Sequence, residues 1–159
     1  MSWILVAFLV ASLLHMTEEY FFPGGFMQMM RRLNPRFASF VTTPMAIVFN
    51  GLQIVLCVVA LAVGKGQPLV GLSVAGLILV NGLVHIGVCV RVNGYAPGVI
   101  TGMLLYLPLS ACAYIGALTK EGVSVVGALI TIVLGSVFQL LPVAYLSAAS
   151  GIARRQDEN

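Results

Sequence analysis

Five long apolar stretches, separated by short polar turns, run through this sequence. Each has close to the roughly 20 residues that an α-helix needs to cross the hydrocarbon core of a bilayer. The pattern predicts an all-α fold, a polytopic membrane helical bundle that forms one transmembrane domain over residues 1–159. We expect spans at residues 2–20, 44–63, 69–90, 98–118 and 123–150. Thr42 or Thr43 can cap the second span, and Pro108 predicts a kink in the fourth.

A shorter segment lies between the first two spans, after a helix-breaking Pro23-Gly24 pair. Apolar residues recur there at positions 26, 29, 30 and 33, whereas Gln28, Arg31 and Arg32 lie off that stripe. This spacing predicts a short helix over residues 26–33 that lies in the membrane interface. For so few residues, an irregular loop is the alternative.

Composition makes the bilayer the expected solvent and the main partner of the chain. Of the 159 residues, 60% are hydrophobic and 8% are charged, and the mean hydropathy is +1.05. A soluble domain of this size needs more polar residues to cover its surface. The few scattered basic residues argue against a nucleic-acid partner. Cys57, Cys89 and Cys112 all lie in apolar runs, which indicates core residues rather than disulfides.

The basic residues fall unequally on the two sides that five spans define. Lys65 and Lys120 lie on one side. The other side has six arginines, which are Arg31, Arg32, Arg36, Arg91, Arg154 and Arg155. The positive-inside rule therefore predicts a cytoplasmic C-terminus and an N-terminus on the outside.

The sequence His15-Met16-Thr17-Glu18-Glu19-Tyr20 ends the first span and holds its first charges. Helical spacing places His15, Glu18 and Glu19 on one face, because positions i, i+3 and i+4 are neighbours. Ionisable residues inside a membrane are costly and are functional candidates by default. These three groups are therefore the centre of the predicted site.

Other polar residues of the spans fall in the same, basic half of the predicted bundle. At 1.5 Å per residue, His85 lies about 9 Å before Arg91, Asn50 about 9 Å after Pro44, and Asn81 about 15 Å deep. Thr101, Gln139 and Tyr145 belong to the same half, whereas the opposite half is almost wholly aliphatic. This segregation predicts a polar pocket that opens toward one face.

The predicted site suits two kinds of chemistry. His15, Glu18, Glu19 and His85 offer two imidazoles and two carboxylates, a set that suits a divalent zinc, iron or manganese ion. Without a metal, one carboxylate can act as an acid and the other as a base, with an imidazole relaying the proton.

Residues around the centre are candidates for contact with a substrate. These are Asn50, Asn81, Arg91 and Tyr95. Asn50 or Asn81 can orient an imidazole, and Arg91 at the rim can pair with an acidic head group. The alternative is purely structural, with Glu18 or Glu19 paired to Arg31, Arg32 or Arg91 and His85 bonded to Asn50 or a carbonyl.

The segment His15-Met16-Thr17-Glu18-Glu19 has the pattern H-x-x-E-E, and Asn81-x-x-x-His85 and Tyr95-Ala96-Pro97-Gly98 follow it. Together these residues resemble the HXXEE-domain family of small bacterial integral membrane proteins. The resemblance implies a multi-helix domain of the bacterial inner membrane. It marks His15, Glu18 and Glu19 as signature positions and implies no particular reaction.

Three hypotheses about function follow from the sequence. The first is a membrane-embedded enzyme that acts on a lipid-like or small apolar substrate through His15, Glu18, Glu19 and His85, with or without a metal. The second is a transporter that uses the carboxylates as a proton relay, and the third is a ligand-binding or assembly module without turnover. Self-association into a homo-oligomer is left open by the sequence.

Overall fold

The computed structural model describes residues 2–22, 25–33 and 42–157, whose regular structure is entirely helical. The elements are α1 (Ser2–Phe21), α2 (Gly25–Leu33), α3 (Thr43–Val63), α4 (Pro68–Val92), α5 (Val99–Thr101), a π-helical segment (Gly102–Tyr106), α6 (Leu107–Lys120) and α7 (Val125–Asp157). Five stretches are long and apolar enough to cross a membrane, namely Trp3–Phe21, Pro44–Val63, Pro68–Val92, Val99–Lys120 and Val125–Pro142. The all-α prediction is confirmed, and the chain is a multi-pass membrane protein.

The helix ends follow the local sequence. Thr42 caps α3, because its hydroxyl accepts a hydrogen bond from the Met45 backbone N–H at 3.4 Å. Residues 25–33 form a helix, as the apolar spacing predicts, and not an irregular loop. The last helix runs on to Asp157, past the predicted end at residue 150. The predicted break at Pro23-Gly24 and the arginine at position 36 lie outside the described residues.

The fourth span is irregular one turn before Pro108. A proline inside a helix lacks an N–H and crowds the carbonyl four residues earlier, which is that of Leu104. Here the five residues Gly102–Tyr106 adopt a π-helical conformation, and the α-helix resumes at Leu107. The predicted irregularity is thus a widened turn, and such turns often occur at functional sites.

Helix α4 is the central element of the bundle and the most buried of the five spans. It contacts each of the other helices and the π-helical segment. Against α7 the approach is at backbone level, since a Cβ atom on Gly135 would lie 2.3 Å from the Leu77 nitrogen. Small residues at such contacts let membrane helices pack closely. The polar residues of α4 are therefore held inside the bundle.

The outer face of the bundle is aliphatic. Val48 is 64% exposed, Leu104 68% and Val133 60%, as expected for side chains that face lipid tails. Large apolar side chains such as Phe8, Leu72 and Ile78 fill the centre. The ends of α1 and α4 and the start of α5 meet at one end of this core, and the candidate site lies there.

Candidate functional site

Three ionisable side chains from two helices meet inside the bundle. His15 and Glu19 lie one turn apart on α1, and His85 projects from α4. All three are buried. Glu19 Oε1 lies 3.2 Å from His85 Nε2 and 3.7 Å from His15 Nε2. One nitrogen or oxygen from each residue falls within 4.8 Å of the others, a spacing that can hold a metal ion.

The Thr101 hydroxyl determines which nitrogen of His15 carries a proton. Its single hydrogen goes to Glu18 Oε2, at 2.6 Å, because an ionised carboxylate can only accept. Thr101 Oγ1 must therefore accept from His15 Nδ1, 2.8 Å away. In the neutral imidazole this leaves a lone pair on Nε2, which has no hydrogen-bond partner among the described residues.

Gly98 holds the two imidazoles in place from the loop before α5. The His15 and His85 rings meet edge to face, with their centroids 4.8 Å apart. A Cβ atom on Gly98 would lie 2.7 Å from Cε1 of each ring, and Gly98 has a φ of +92°. Both the space and the backbone conformation therefore require glycine.

Asn50 orients Glu19 so that one oxygen faces the imidazoles. The Asn50 amide donates to Glu19 Oε2 at 2.8 Å and to the Tyr20 hydroxyl at 3.0 Å. Glu19 Oε1 is thereby left for the two histidines. Asn50 or Asn81 was expected to orient an imidazole; in the structure Asn50 instead bonds the Glu19 carboxylate.

Glu18 has a different environment from its neighbour. Consecutive helical residues point about 100° apart, so Glu18 faces the start of the fourth span while Glu19 faces α4. Oε1 of Glu18 accepts from the Ile100 N–H and the Tyr95 hydroxyl, and Oε2 from the N–H and hydroxyl of Thr101. These four bonds fill the acceptor sites of a carboxylate. Glu18 therefore supports the centre through Thr101 and lies outside the group of three.

Tyr95 closes the Glu18 side of the site at the membrane border. Its hydroxyl donates to Glu18 Oε1 at 2.9 Å. Burial, together with the Glu18 carboxylate, raises the pKa of the Tyr95 phenol above its ordinary value. The phenol therefore stays protonated at neutral pH and remains a donor.

Comparison with known proteins gives a family for this chain. A family described as "Protein of unknown function with HXXEE motif" matches residues 6–113. The chain belongs to the HXXEE family. No curated protein and no solved structure matches it. In this HXXEE protein the first and last residues of the motif, His15 and Glu19, face His85. The other carboxylate of the motif, that of Glu18, accepts hydrogen bonds from Thr101.

A cavity of about 280 Å³ opens beside this HXXEE centre; we call it the centre cavity. Glu19 and His85 form part of its wall, and Met29 and Met30 of α2 also line it. The remaining polar lining comes from Asn50, Gln53, Asn81 and Gln139. The expected convergence of polar residues from separate spans is thus present in the structure.

The other predicted contact residues lie in different places. Asn81 lines the centre cavity and donates to Gln139 Oε1 at 3.3 Å. Arg91 is exposed on the last turn of α4 and, like Tyr95, is absent from the cavity lining. The side chains of Arg31 and Arg32, the other suggested partners of the carboxylates, fall outside the described residues.

Several residues of the site were not singled out as candidates from the sequence. Gln53 Nε2 donates to the Ser12 hydroxyl at 3.0 Å and to the Tyr106 hydroxyl at 2.7 Å. The Tyr106 ring stacks on His15 at a centroid distance of 4.5 Å. The sequence offered one signal for Gln53, which is that it is a polar residue inside an apolar run. It also follows Asn50 by three residues on α3, so the two side chains are neighbours.

The half of the bundle away from the arginines is more polar than expected. Ser110 donates to the Ala75 carbonyl, and Tyr114 to the Leu72 carbonyl, with Thr131 3.0 Å from the Tyr114 hydroxyl. These bonds tie α6 to α4 and α7. They explain the polar residues there as helix-to-helix contacts.

Proposed function

We propose that this HXXEE protein is a membrane-embedded, metal-dependent enzyme that acts on a lipid-like or small apolar substrate. His15 Nε2, Glu19 Oε1 and His85 Nε2 would hold one divalent ion. The substrate would enter the centre cavity and place its reacting group against that ion. Asn50 and Asn81 would contact its polar end.

The proposal is supported above all by the free lone pair of His15. A buried polar atom without a partner is unfavourable, and native structures contain few of them. Here Thr101 fixes the tautomer that turns the lone pair toward Glu19 and His85. Metal-binding histidines commonly donate their other N–H to a neighbouring oxygen in this way.

The donor set and its spacing fit a small transition-metal ion. A tetrahedral ion with bonds of about 2.0–2.1 Å separates its ligand atoms by roughly 3.3 Å. The distances from Glu19 Oε1 to the two imidazole nitrogens, 3.2 and 3.7 Å, lie on either side of that value, and the ligand atoms of all three residues lie within 4.8 Å of one another. Two histidines and one carboxylate leave a position open, as in catalytic zinc sites and in non-haem iron sites. When bound, such an ion activates water or polarises a carbonyl oxygen.

Metal analysis of the purified full chain tests the metal part of this proposal. We expect near-stoichiometric zinc, iron or manganese in the wild type after purification without chelators, and loss of that metal in His85→Ala. Thr119→Ala is the matched control, because the Thr119 hydroxyl bonds the Ile115 carbonyl on the exposed face of α6. Equal and negligible metal in all three proteins would refute a metal centre.

Turnover is tested separately, by lipid mass spectrometry of cells that express the protein. We expect at least one lipid species to decrease and a product to accumulate with the wild type, and neither change with Glu19→Gln at equal protein level. Identical lipid profiles for the two, with metal present, would favour a binding protein without turnover.

A proton-coupled transporter is the second candidate, and one observation favours it. The Tyr106 ring packs on His15, and hydrogen bonds continue from the Tyr106 hydroxyl through Gln53 to Ser12, whose hydroxyl lies 3.5 Å from Cys57 Sγ. Beyond Cys57, the polar side chains described above are bonded to backbone carbonyls, which argues against a continuous route. Proton-coupled uptake into liposomes that is abolished in Glu19→Gln would establish transport instead of turnover.

We also propose the bacterial inner membrane as the location, with the C-terminus in the cytoplasm. The support is the distribution of charge, because six arginines flank the spans on the proposed cytoplasmic side and two lysines flank them on the other side. The centre cavity would then open toward the cytoplasmic half of the bilayer, where a substrate is reached from the inner leaflet.

A further inference from the structure

We infer that the substrate is a lipid with one long hydrocarbon chain and an uncharged, hydrogen-bonding polar end. Its polar end would lie in the centre cavity, and its chain would follow a groove between α3 and α7. This inference rests on the proposed function for the fate of the lipid, but the binding site itself stands on its own observations.

The groove is a second cavity, of about 390 Å³, which we call the tail groove. Helices α3, α4 and α7 form its walls, as they do those of the centre cavity. The groove is lined almost wholly by aliphatic side chains, including Leu56, Val59, Val74, Leu77, Leu134 and Val137. Ser73 also lines it, but its hydroxyl is bonded to the Leu69 carbonyl.

The two cavities form one path. Phe138 lines both of them. On α3 the lining residues Asn50 and Gln53 of the centre cavity are followed by Leu56 and Val59 of the tail groove, and each of these residues neighbours the next, three positions along the helix. From His85 back to Val70 the path covers about 22 Å along α4 at 1.5 Å per residue. That length suits one extended long-chain acyl or isoprenoid group.

The polar end of the path favours an uncharged head group that donates hydrogen bonds. Asn81 lines the centre cavity, and its Oδ1 is buried without a hydrogen-bond partner among the described residues. Of the described side chains that line the centre cavity, His85 alone can carry a positive charge, and Glu19 is acidic. Among the described side chains of this wall, a phosphate would meet the Glu19 carboxylate without a guanidinium to offset it, whereas an alcohol, amide or ester would meet amide groups.

The shape of the tail groove, rather than its hydrophobicity, would select the hydrocarbon chain of the lipid. Lipid tails in the bilayer are as apolar as these aliphatic side chains, so leaving the bilayer for the groove gives little hydrophobic free energy. The gain must come from packing and from the hydrogen bonds of the polar end. A bulky side chain in the groove should therefore exclude the lipid without affecting the metal.

Photocrosslinking of the purified full chain in nanodiscs tests this inference. The probe is a monoacylglycerol that carries a diazirine midway along its acyl chain. We expect crosslinks on the residues of α3 and α7 that line the tail groove, and a severalfold loss of crosslinking in Val137→Trp. Val133→Trp is the matched control, since Val133 is similarly exposed on α7 but lies outside the groove lining.

Equal crosslinking in Val137→Trp and Val133→Trp, or crosslinks spread over lipid-facing residues, would overturn the tail groove. An unlabelled monoacylglycerol should compete better than its one-chain phosphate counterpart or a diacylglycerol; equal competition by either would overturn the stated lipid class. His85→Ala separates this inference from the proposed function. If His85→Ala loses the metal but keeps the groove crosslinks, both sites are supported and the lipid site does not depend on the metal. Groove crosslinks in a wild type that contains no metal support the lipid site and refute the metal centre, whereas metal without groove crosslinks refutes only the lipid site.

Discussion

At the scale of single residues, the Thr101 hydroxyl connects the Glu18 carboxylate to the His15 imidazole. It is the acceptor for His15 Nδ1 and a donor to Glu18. One oxygen thus links the supporting carboxylate to the imidazole and sets the tautomer. The role of Glu18 follows from this link, because its own acceptor sites are filled by the start of the fourth span.

Replacing Thr101 with valine tests this role. The side chain keeps its shape but loses the hydroxyl, so we expect metal affinity to fall by about 10–100-fold, as on loss of a partner of a metal-binding histidine. Titration of the metal-free protein against a coloured chelator measures the change. Thr101→Ser should restore most of the affinity, and an unchanged affinity in Thr101→Val would show that Thr101 does not orient His15.

Gly98 is the second residue whose identity the structure requires. In Gly98→Ala the new methyl group would meet both imidazoles in a backbone conformation that alanine rarely adopts. We expect a loss of roughly 1–3 kcal/mol in the free energy of unfolding, measured by denaturation in detergent. Gly87→Ala, where a Cβ atom would meet open space on α4, should be neutral or slightly stabilising.

At the scale of elements, α2 forms part of the wall of the site. Its apolar stripe predicts a helix in the membrane interface, and the structure turns Met29, Met30 and Leu33 of that stripe toward the centre cavity. Met29 is only 6% exposed, whereas Gln28 on the other side is exposed. The same stripe therefore covers a cavity, a role that periodicity alone does not distinguish from contact with lipid.

Cysteine labelling tests the packing of α2. In a background without the three native cysteines, we expect Gln28→Cys to react readily with a water-soluble maleimide and Met29→Cys to react much more slowly. The physical reason is burial of position 29 against the bundle. Similar rates at the two positions would show that α2 does not rest on the cavity.

At the scale of the whole molecule, five spans place the two ends of the chain on opposite sides of the membrane. The described helices pack around α4, so the ionisable groups of α1 and α4 meet at one end of the bundle. The proposed orientation, with the C-terminus in the cytoplasm, rests on the arginine excess through the positive-inside rule.

Reporter fusions test this orientation. Alkaline phosphatase fused after Asn159 should be inactive and a fluorescent protein there should fold, because we expect the C-terminus in the cytoplasm. Alkaline phosphatase inserted in the turn at Lys65-Gly66, on the opposite side, should be active. The reverse pattern at both positions would invert the proposed topology and move the centre cavity to the outer half.

The order of the apolar and polar residues was enough to determine the spans, the short helix before α3 and the half of the bundle that holds the ionisable groups of the site. These properties follow from local length, periodicity and the cost of burying charge, which are readable along the chain. The sequence also identified His15, Glu19 and His85 as candidates for one site, because ionisable residues inside a membrane need partners.

Tertiary structure alone decided how those residues are divided between roles. Helical spacing places Glu18 and Glu19 near His15 alike, but only the packing of the fourth span against α1 gives Glu18 to Thr101 and leaves Glu19 to the histidines. The same holds for Gly98 above the rings and for Gln53 beside Tyr106. Contacts between distant segments depend on helix rotation and on backbone approach, and periodicity within one helix carries no information about either.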